Sequence, residues 1–177
     1  MTRVPDYIEP VEGWRIWGVV EREGRLLLRS LFFDVAWPYD FPATASCEHR
    51  RFALRTPWRR RASGHAAPEE TCACGIHAGF EPTSVMPYFQ HRAAGSICGA
   101  VGRVALWGDV VECVSGYRAQ HAYPTHLYVP ELLRIRAWPW LRVDARRITE
   151  GLRRYGVPVE TLGVQSERDI VPLLTTA

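Results

Sequence analysis

The sequence predicts an α+β fold that is mainly β, with a small barrel or curled antiparallel sheet, one inserted loop and a C-terminal amphipathic helix. Three observations support this prediction. Several runs are rich in β-branched and aromatic residues, and the strongest covers residues 96–114. The 14 glycines and 13 prolines are scattered, as expected for short elements joined by turns. A helical period appears only near the C-terminal end of the sequence.

Residues 1–177 are expected to form one domain. A chain of 177 residues has the usual length of a single domain and can bury roughly 70% of its unfolded surface. The sequence contains no internal repeat, no low-complexity tract and no clear linker. A chain of this length therefore does not need a metal ion merely to fold.

The first elements predict a β-hairpin. The run Trp14 to Glu21 is apolar and partly alternating, and a second apolar run covers residues 25–31. Arg22-Glu23-Gly24 lies between them and supplies a turn whose glycine accepts a positive φ. A rigid aromatic loop is expected at 37–42, followed by a short strand at 43–47.

The middle of the sequence predicts an extended segment at 75–80 and a short strand or helical turn at 85–89. Residues 96–114 predict one long bent strand, or two strands with Gly108 as a bulge or turn between them. Cys98 and Cys113 lie inside these apolar runs and are expected to be core residues. Residues 116–129 are rich in tyrosine and histidine and are interpreted as an aromatic loop, after which Pro130 can begin a short helix.

The C-terminal helix is predicted over about residues 142–155. The residues of its apolar face recur at +4, +7, +11 and +14, and they are Leu141, Ala145, Ile148, Leu152 and Tyr155. Gly156 and Pro158 end the pattern. The other face carries Arg142, Arg146, Arg147, Arg153 and Arg154, which we interpret as a solvated face in preference to a phosphate contact. After Val159 we expect a short extended piece and a fraying end.

The stretch from Cys47 to His77 concentrates metal-binding side chains. It holds three of the five cysteines and three of the six histidines. Zinc takes about four Cys or His ligands in a tetrahedron, and Cys72-Ala73-Cys74-Gly75 resembles half of a zinc knuckle. The predicted structural Zn²⁺ ligands are Cys47, His65, Cys72 and Cys74. His77 and His49 are the alternatives to His65; free thiols, a disulfide, or an open catalytic zinc site are the less favoured readings of the stretch.

The positive charge of the chain is local. All 22 basic residues are arginines, and the absence of lysine and asparagine indicates a GC-rich genome, so arginine content alone is weak evidence for nucleic acid. Six arginines nevertheless fall in residues 50–61 without an acidic residue, and the remaining 16 face 19 acids. These arginines can neutralise phosphates while Trp58 stacks on a base. The predicted nucleic-acid-binding residues are Arg50, Arg51, Arg55, Trp58, Arg59, Arg60 and Arg61.

Two alternative functions stay open. One is a small-ligand enzyme with acid–base and anion-binding groups in a pocket formed by Tyr117, Arg118, His121, Tyr123 and His126. The sequence holds no nucleophile elbow, P-loop, dinucleotide fingerprint or zincin motif, so binding is favoured over catalysis. The other is an accessory or adaptor subunit that uses tryptophan–proline turns at 37–38, 57–58 and 138–140 as an interface with a protein partner.

We expect a cytoplasmic protein without a membrane segment. The first residues lack the apolar core of a signal peptide. The longest uncharged run, Ala119 to Pro130, has twelve residues and is too short and too polar to span a bilayer. Clustered cysteines in a reducing compartment favour metal over disulfides. The oligomeric state is not predicted.

The motifs CACGI at 72–76, GRVALWGDVV at 102–111, GYRA at 116–119 and AYP at 122–124 resemble a group of small uncharacterised proteins from actinobacteria and their phages. The resemblance extends over most of the chain. In that group the histidine of a GH-x-AP loop precedes CxCGI, which implies a ligand role for His65, whereas the position of His77 is usually aromatic. A more distant likeness to PUA-like barrels, which include readers of RNA and modified bases, rests on the bent strand and the loop after it.

Overall fold

Strands dominate the fold. The computed structural model describes residues 2–3, 9–47, 65–89, 95–131, 144–164 and 166–175. Of these residues, 45% lie in strands and 20% in helices, which confirms the mainly β prediction. The arginine-rich residues 50–61 lie outside the described part, as do Trp138 and Trp140.

Eight strands and three α-helices make up the described chain. The strands are β1 (Thr2–Arg3), β2 (Val11–Arg22), β3 (Arg25–Arg29), β4 (Ala43–Thr44), β5 (Ile76–Gly79), β6 (Cys98–Cys113), β7 (Gly116–Pro130) and β8 (Val159–Leu162). The helices are α1 (Pro82–Val85), α2 (Ala145–Leu152) and α3 (Ile170–Thr175), with 3₁₀ turns at Met86–Tyr88, Arg153–Tyr155 and Glu167–Asp169.

The predicted first hairpin is present. β2 and β3 pair antiparallel from Gly18 opposite Arg29 to Arg22 opposite Arg25. Gly24 has φ +71°, the left-handed conformation that its place in the turn requires. The hairpin therefore follows from local signals alone.

The second hairpin confirms one prediction and corrects another. β6 is a single long strand, and its register with β7 shifts between Trp107 and Val110, which places a bulge at Gly108. Residues 116–129 are not a loop, because β7 pairs with β6 along its length. Pro130 is the last residue of β7 rather than the first residue of a helix. The strand was missed because its polar and aromatic residues mask the alternation, and because β4, β5 and β8, which also pair with it, are distant in sequence.

The sheet is mixed, which corrects the prediction of a purely antiparallel sheet. β8 pairs parallel to β7, with Leu127 opposite Val159. β6, β2, β5 and β7 are joined in a ring, yet the described residues of β2 and β5 pair at one position, Trp14 opposite Gly79. The ring of strands is therefore not a true barrel.

Apolar residues pack on both faces of the sheet. On one face, Trp17 and Val19 pack in the larger cluster together with Ile148 and Leu152 of α2. On the other face, Trp14, Ile16 and Val101 pack with buried residues of α1 and α3. Because both faces of β2 are covered, residues 16–20 of the strand form a continuous buried apolar run.

Helix α2 begins three residues later than the predicted start at 142. The Asp144 carboxylate accepts hydrogen bonds from the backbone N–H groups of Arg146 and Arg147, which caps the first turn at Ala145. The 3₁₀ turn Arg153–Tyr155 then continues the helix to Gly156, the predicted end. Helix α3 was not predicted, since the tail was expected to fray, but Ile170 and Leu174 are buried. None of the helices in the described ranges is long and apolar enough to cross a membrane.

Candidate metal centre

The four predicted ligands lie together although they come from two separate segments. Cys47 follows β4, which pairs with β7 through Ala43 opposite Ala122. The other three ligands lie in the loop before β5, and β5 pairs with the neighbouring part of β7. Strand β7 therefore brings the two segments to one place on the sheet.

The donor atoms of the cluster are close to one another. Cys47 Sγ and Cys72 Sγ are 3.8 Å apart, and Cys74 Sγ is 3.5 Å from His65 Nε2. All four donor atoms lie within 4.8 Å of one another, and all four residues are half-buried. The 3.8 Å separation excludes a Cys47–Cys72 disulfide here, since an S–S bond measures about 2.05 Å. The arrangement can hold a metal ion.

The cluster disfavours a thiolate that has no cation beside it. Burial, together with a smaller contribution from the neighbouring Cys72 and Cys47 thiols, raises the pKa of the Cys74 thiol to about 11. A thiol with this pKa stays protonated at neutral pH. A coordinated metal ion reverses that preference because it stabilises the thiolate directly.

Arg118 is hydrogen-bonded to residues 65–74, the ligand loop. Its side chain is buried, with 2% of its surface exposed. Nη1 donates to the carbonyls of Glu69 at 3.1 Å and Cys74 at 3.0 Å, and also to the carbonyl of Cys72. Nε donates to Cys113 Sγ at 3.4 Å. Arg118 was predicted to line a ligand pocket. Its hydrogen bonds instead support the backbone of the ligand loop.

The role of Arg118 carries no local sequence signal. Its three carbonyl partners lie 44 to 49 positions away in the sequence, so only the pairing of β5 with β7 brings them together. A buried arginine that binds several carbonyls can therefore be found only in the folded chain.

Gly75 completes the turn after the last ligand. Its φ is +119°, a conformation that residues with a side chain rarely adopt. A Cβ at this position would lie 3.0 Å from the Pro68 Cβ and 3.1 Å from the Arg118 Cβ. The glycine thus lets the chain pass close to Arg118 between Cys74 and β5, as its place in the motif predicts.

The alternative ligand His77 does not join the cluster. Its Nε2 lies 3.0 Å from the carbonyl oxygen of Ala73. The other alternative, His49, lies outside the described residues. Within the described chain, His65 is therefore the histidine that accompanies the three cysteines.

The predicted pocket residues of β7 have separate partners. Tyr117 packs edge-on against Phe80 at 4.9 Å between ring centroids, and His121 Nδ1 lies 3.1 Å from Thr44 Oγ1. The Tyr123 hydroxyl is within hydrogen-bond distance of the carbonyls of Tyr39 and Tyr155. His126 Nε2 is 2.8 Å from Glu160 Oε1. These contacts do not gather the residues around one ligand.

The other predicted surfaces are only partly described. The residues proposed for nucleic acid, Arg50 to Arg61 with Trp58, lie outside the described chain, so that interface stays a prediction. Trp37 is not an interface residue, because it is buried at 2% exposure and packs edge-on against Trp17. Its Nε1 donates to Ser30 Oγ at 3.1 Å.

Comparison with other proteins identifies no relative. No protein-family model matches the chain, and no curated protein or solved structure matches it. The resemblance to the actinobacterial and phage group stays a prediction, as does the likeness to PUA-like barrels.

Proposed function

We propose that Cys47, His65, Cys72 and Cys74 bind a structural Zn²⁺ ion. The spacing of their donor atoms carries this proposal. In a tetrahedron with Zn–S of about 2.3 Å and Zn–N of about 2.0–2.1 Å, two sulfurs lie about 3.8 Å apart and a sulfur and a nitrogen about 3.6 Å apart. The measured distances between these donor pairs are 3.8 Å and 3.5 Å.

The number of ligands supports a structural role for the metal. Four protein donors complete the tetrahedron, whereas a catalytic zinc site keeps one position for water or substrate. Three thiolates, one neutral imidazole and Zn²⁺ together carry one net negative charge. The buried guanidinium of Arg118 lies directly beneath the loop and supplies the opposite charge.

We propose that the metal presents the arginine-rich segment to nucleic acid. Cys47 and His65 flank residues 48–64, so one ion fixes both ends of the segment that holds six arginines and Trp58. Fixing the ends lowers the entropy that the segment loses when it binds. The cysteines of the site form no disulfide in the described structure, which supports the proposal of a reducing cytoplasm.

Metal content by mass spectrometry tests the zinc site. The wild-type chain is expected to carry one equivalent of zinc, and both Cys72→Ser and His65→Ala are expected to lose it. His77→Gln is the matched control, because His77 lies beside the loop without joining the cluster. Zinc retained by His65→Ala, or lost equally in His77→Gln, would contradict this ligand set.

The salt dependence of oligonucleotide binding tests the proposal that the arginine-rich segment binds nucleic acid. Six neutralised phosphates predict a log–log slope of about −4 to −5, from roughly 0.7–0.9 per phosphate. Replacing the six arginines of 50–61 by glutamine is expected to remove most of that slope. Binding that does not change with salt, or no binding at low salt, rejects the nucleic-acid proposal while leaving the zinc site untouched.

A further inference from the structure

A second cluster of arginines lines a groove on the face of the protein that carries α2. The groove has a volume of about 560 Å³, within the range of roughly 300–1,000 Å³ that is usual for ligand sites. One wall comes from the β2–β3 turn and the start of β3, and the other from α2 and the 3₁₀ turn that follows it. The lining residues are Gly24, Arg25, Leu26, Arg147, Glu150, Gly151, Arg153 and Arg154.

The lining of the groove has an excess of positive charge. Of the lining residues that the structure describes, four are arginines and one is acidic. Arg147 pairs with Glu21 at 2.6 Å and Arg153 pairs with Glu150 at 2.8 Å. Among the described residues, Arg25 and Arg154 form no salt bridge, and both are exposed. Two guanidinium groups with free donors therefore lie on opposite walls of one groove.

Helix stabilisation does not account for this arrangement. Arg153 and Arg154 lie at the C-terminal end of the helix, where positive side chains interact favourably with the helix dipole. Arg25 belongs to a strand on the other wall, so the helix dipole gives no reason for its position. Gly151 allows the two walls to approach closely, because a Cβ at this position would lie 2.6 Å from Leu26 Cδ1.

We propose that this groove binds phosphate groups between Arg25 and Arg154. The planar guanidinium group donates two parallel hydrogen bonds, a geometry that matches phosphate oxygens. The phosphates belong either to a free polyphosphate ligand or to the backbone of a nucleic acid strand, since both offer the same oxygens. None of the described lining residues of the groove belongs to the metal cluster.

Binding of two probes at about 50 mM salt tests the groove, because ionic contacts to phosphate weaken steeply as salt rises. The probes are inorganic pyrophosphate, followed by calorimetry, and fluorescein-labelled single-stranded oligo-dT, followed by anisotropy. The test variant is Arg25→Gln/Arg154→Gln. The matched control is Arg146→Gln/Arg168→Gln, which removes the same charge from two exposed arginines outside the groove, one of them on α2 itself. Thermal unfolding checks that both variants are folded.

The test variant is expected to bind at least one probe about tenfold more weakly than the control variant, a loss of the size expected for one charge-assisted hydrogen bond. Weaker binding of both probes assigns the groove to a free phosphate ligand. Weaker binding of the oligonucleotide alone assigns it to backbone phosphates.

Equal affinities of the two variants for both probes would overturn the proposal, as would a wild-type protein that binds neither probe. These outcomes are separate from the test of residues 50–61. Glutamine substitutions in residues 50–61 that abolish oligonucleotide binding do not change the pyrophosphate affinity of the groove. Loss of phosphate binding by the groove does not change the zinc content expected for the wild-type protein.

Discussion

The metal cluster and the sheet core stabilise the chain in different ways. The cluster consists of four half-buried donors and one buried arginine, and each side chain has a role that its neighbours cannot take over. Among the described residues, the larger core cluster contains 21 buried residues, including Trp17, Leu28 and Leu106, which are inaccessible to solvent. Burial of apolar surface is non-directional and is shared by many contacts.

Because of this difference, a single substitution is expected to have different effects in the two regions. In the cluster, with the proposed Zn²⁺ bound, the loss of one donor is expected to remove a whole coordination bond and to leave three protein ligands. In the core, the loss of one side chain leaves a cavity while the surrounding contacts persist. Metal content and folding stability are therefore expected to respond independently to substitutions in the two regions.

The largest expected effect is the loss of the metal from the cluster. Cys74→Ser, or removal of zinc by a chelator, is expected to abolish metal binding, which in zinc-finger peptides is worth roughly 10–16 kcal/mol. Amide hydrogen exchange is expected to accelerate in residues 65–74, while β6 and β7 stay protected. Global loss of protection on chelation would show that the core depends on the metal and would remove the distinction between the two regions.

The next prediction concerns a substitution in the sheet core instead of the metal cluster. Trp17→Ala is expected to lower the free energy of unfolding by about 3–5 kcal/mol, because it leaves a large cavity at a fully buried site. Chemical denaturation measures this loss, and metal analysis of the folded fraction is expected to show one equivalent of zinc as in wild type. A folded but zinc-free Trp17→Ala protein would contradict the independence of the two regions.

Arg118 links the two regions, because it is a buried strand residue whose donors bind the ligand loop. Arg118→Leu is expected to weaken zinc binding roughly 10–100-fold, the usual effect of losing a residue that supports metal ligands. It also leaves the carbonyls of Glu69 and Cys74 without this donor. Chelator competition measures the zinc affinity, and Arg103→Leu is the control, since Arg103 is an exposed arginine on the adjacent strand β6. Equal affinities of the two variants would reject the role of Arg118.

The smallest effect concerns a polar group inside the apolar core. The Tyr155 hydroxyl accepts a hydrogen bond from the Leu28 N–H at 2.9 Å and donates to the Trp37 carbonyl at 2.7 Å. Burial raises the pKa of Tyr155 above its usual value, which keeps the donated proton in place. Tyr155→Phe is expected to cost about 1–3 kcal/mol of stability, because two buried backbone groups lose their partner.

Tyr39→Phe is the matched control for Tyr155→Phe. The Tyr39 hydroxyl is buried without a hydrogen-bond partner in the described structure, so its removal is expected to be neutral or slightly stabilising in thermal unfolding. The comparison fails if both phenylalanine variants are destabilised equally. In either variant the zinc content is expected to match wild type.

Local signals account for the elements that were predicted well. The β2–β3 turn has its glycine in the required conformation, β6 is one bent strand with its bulge at Gly108, and α2 with its 3₁₀ turn ends at Gly156. The four side chains of the cluster were also predicted together, because cysteine and histidine spacing reports on metal chemistry directly. Each of these features depends on residues close to one another or on a rare residue type.

The elements that the sequence did not predict depend on contacts between residues that are far apart in the sequence. Residues 116–129 form a strand because β6 lies along one edge and β5, β4 and β8 pair along the other, and no local pattern records these partners. The parallel pairing of β8 and the burial of α3 arise in the same way. The predicted pocket residues share one strand but contact different parts of the fold, which spacing along the chain does not reveal.

The side chains that are able to bind a metal ion, and the concentration of arginine in residues 50–61, can be identified in the sequence. Only folding brings Arg118 to the carbonyls of the ligand loop and makes Arg25 and Arg154 line the same groove. The two kinds of feature differ in the sequence separation of the residues that produce them. Donor type and backbone conformation are properties of single residues and their neighbours, whereas burial and convergence depend on segments that meet only when the sheet forms.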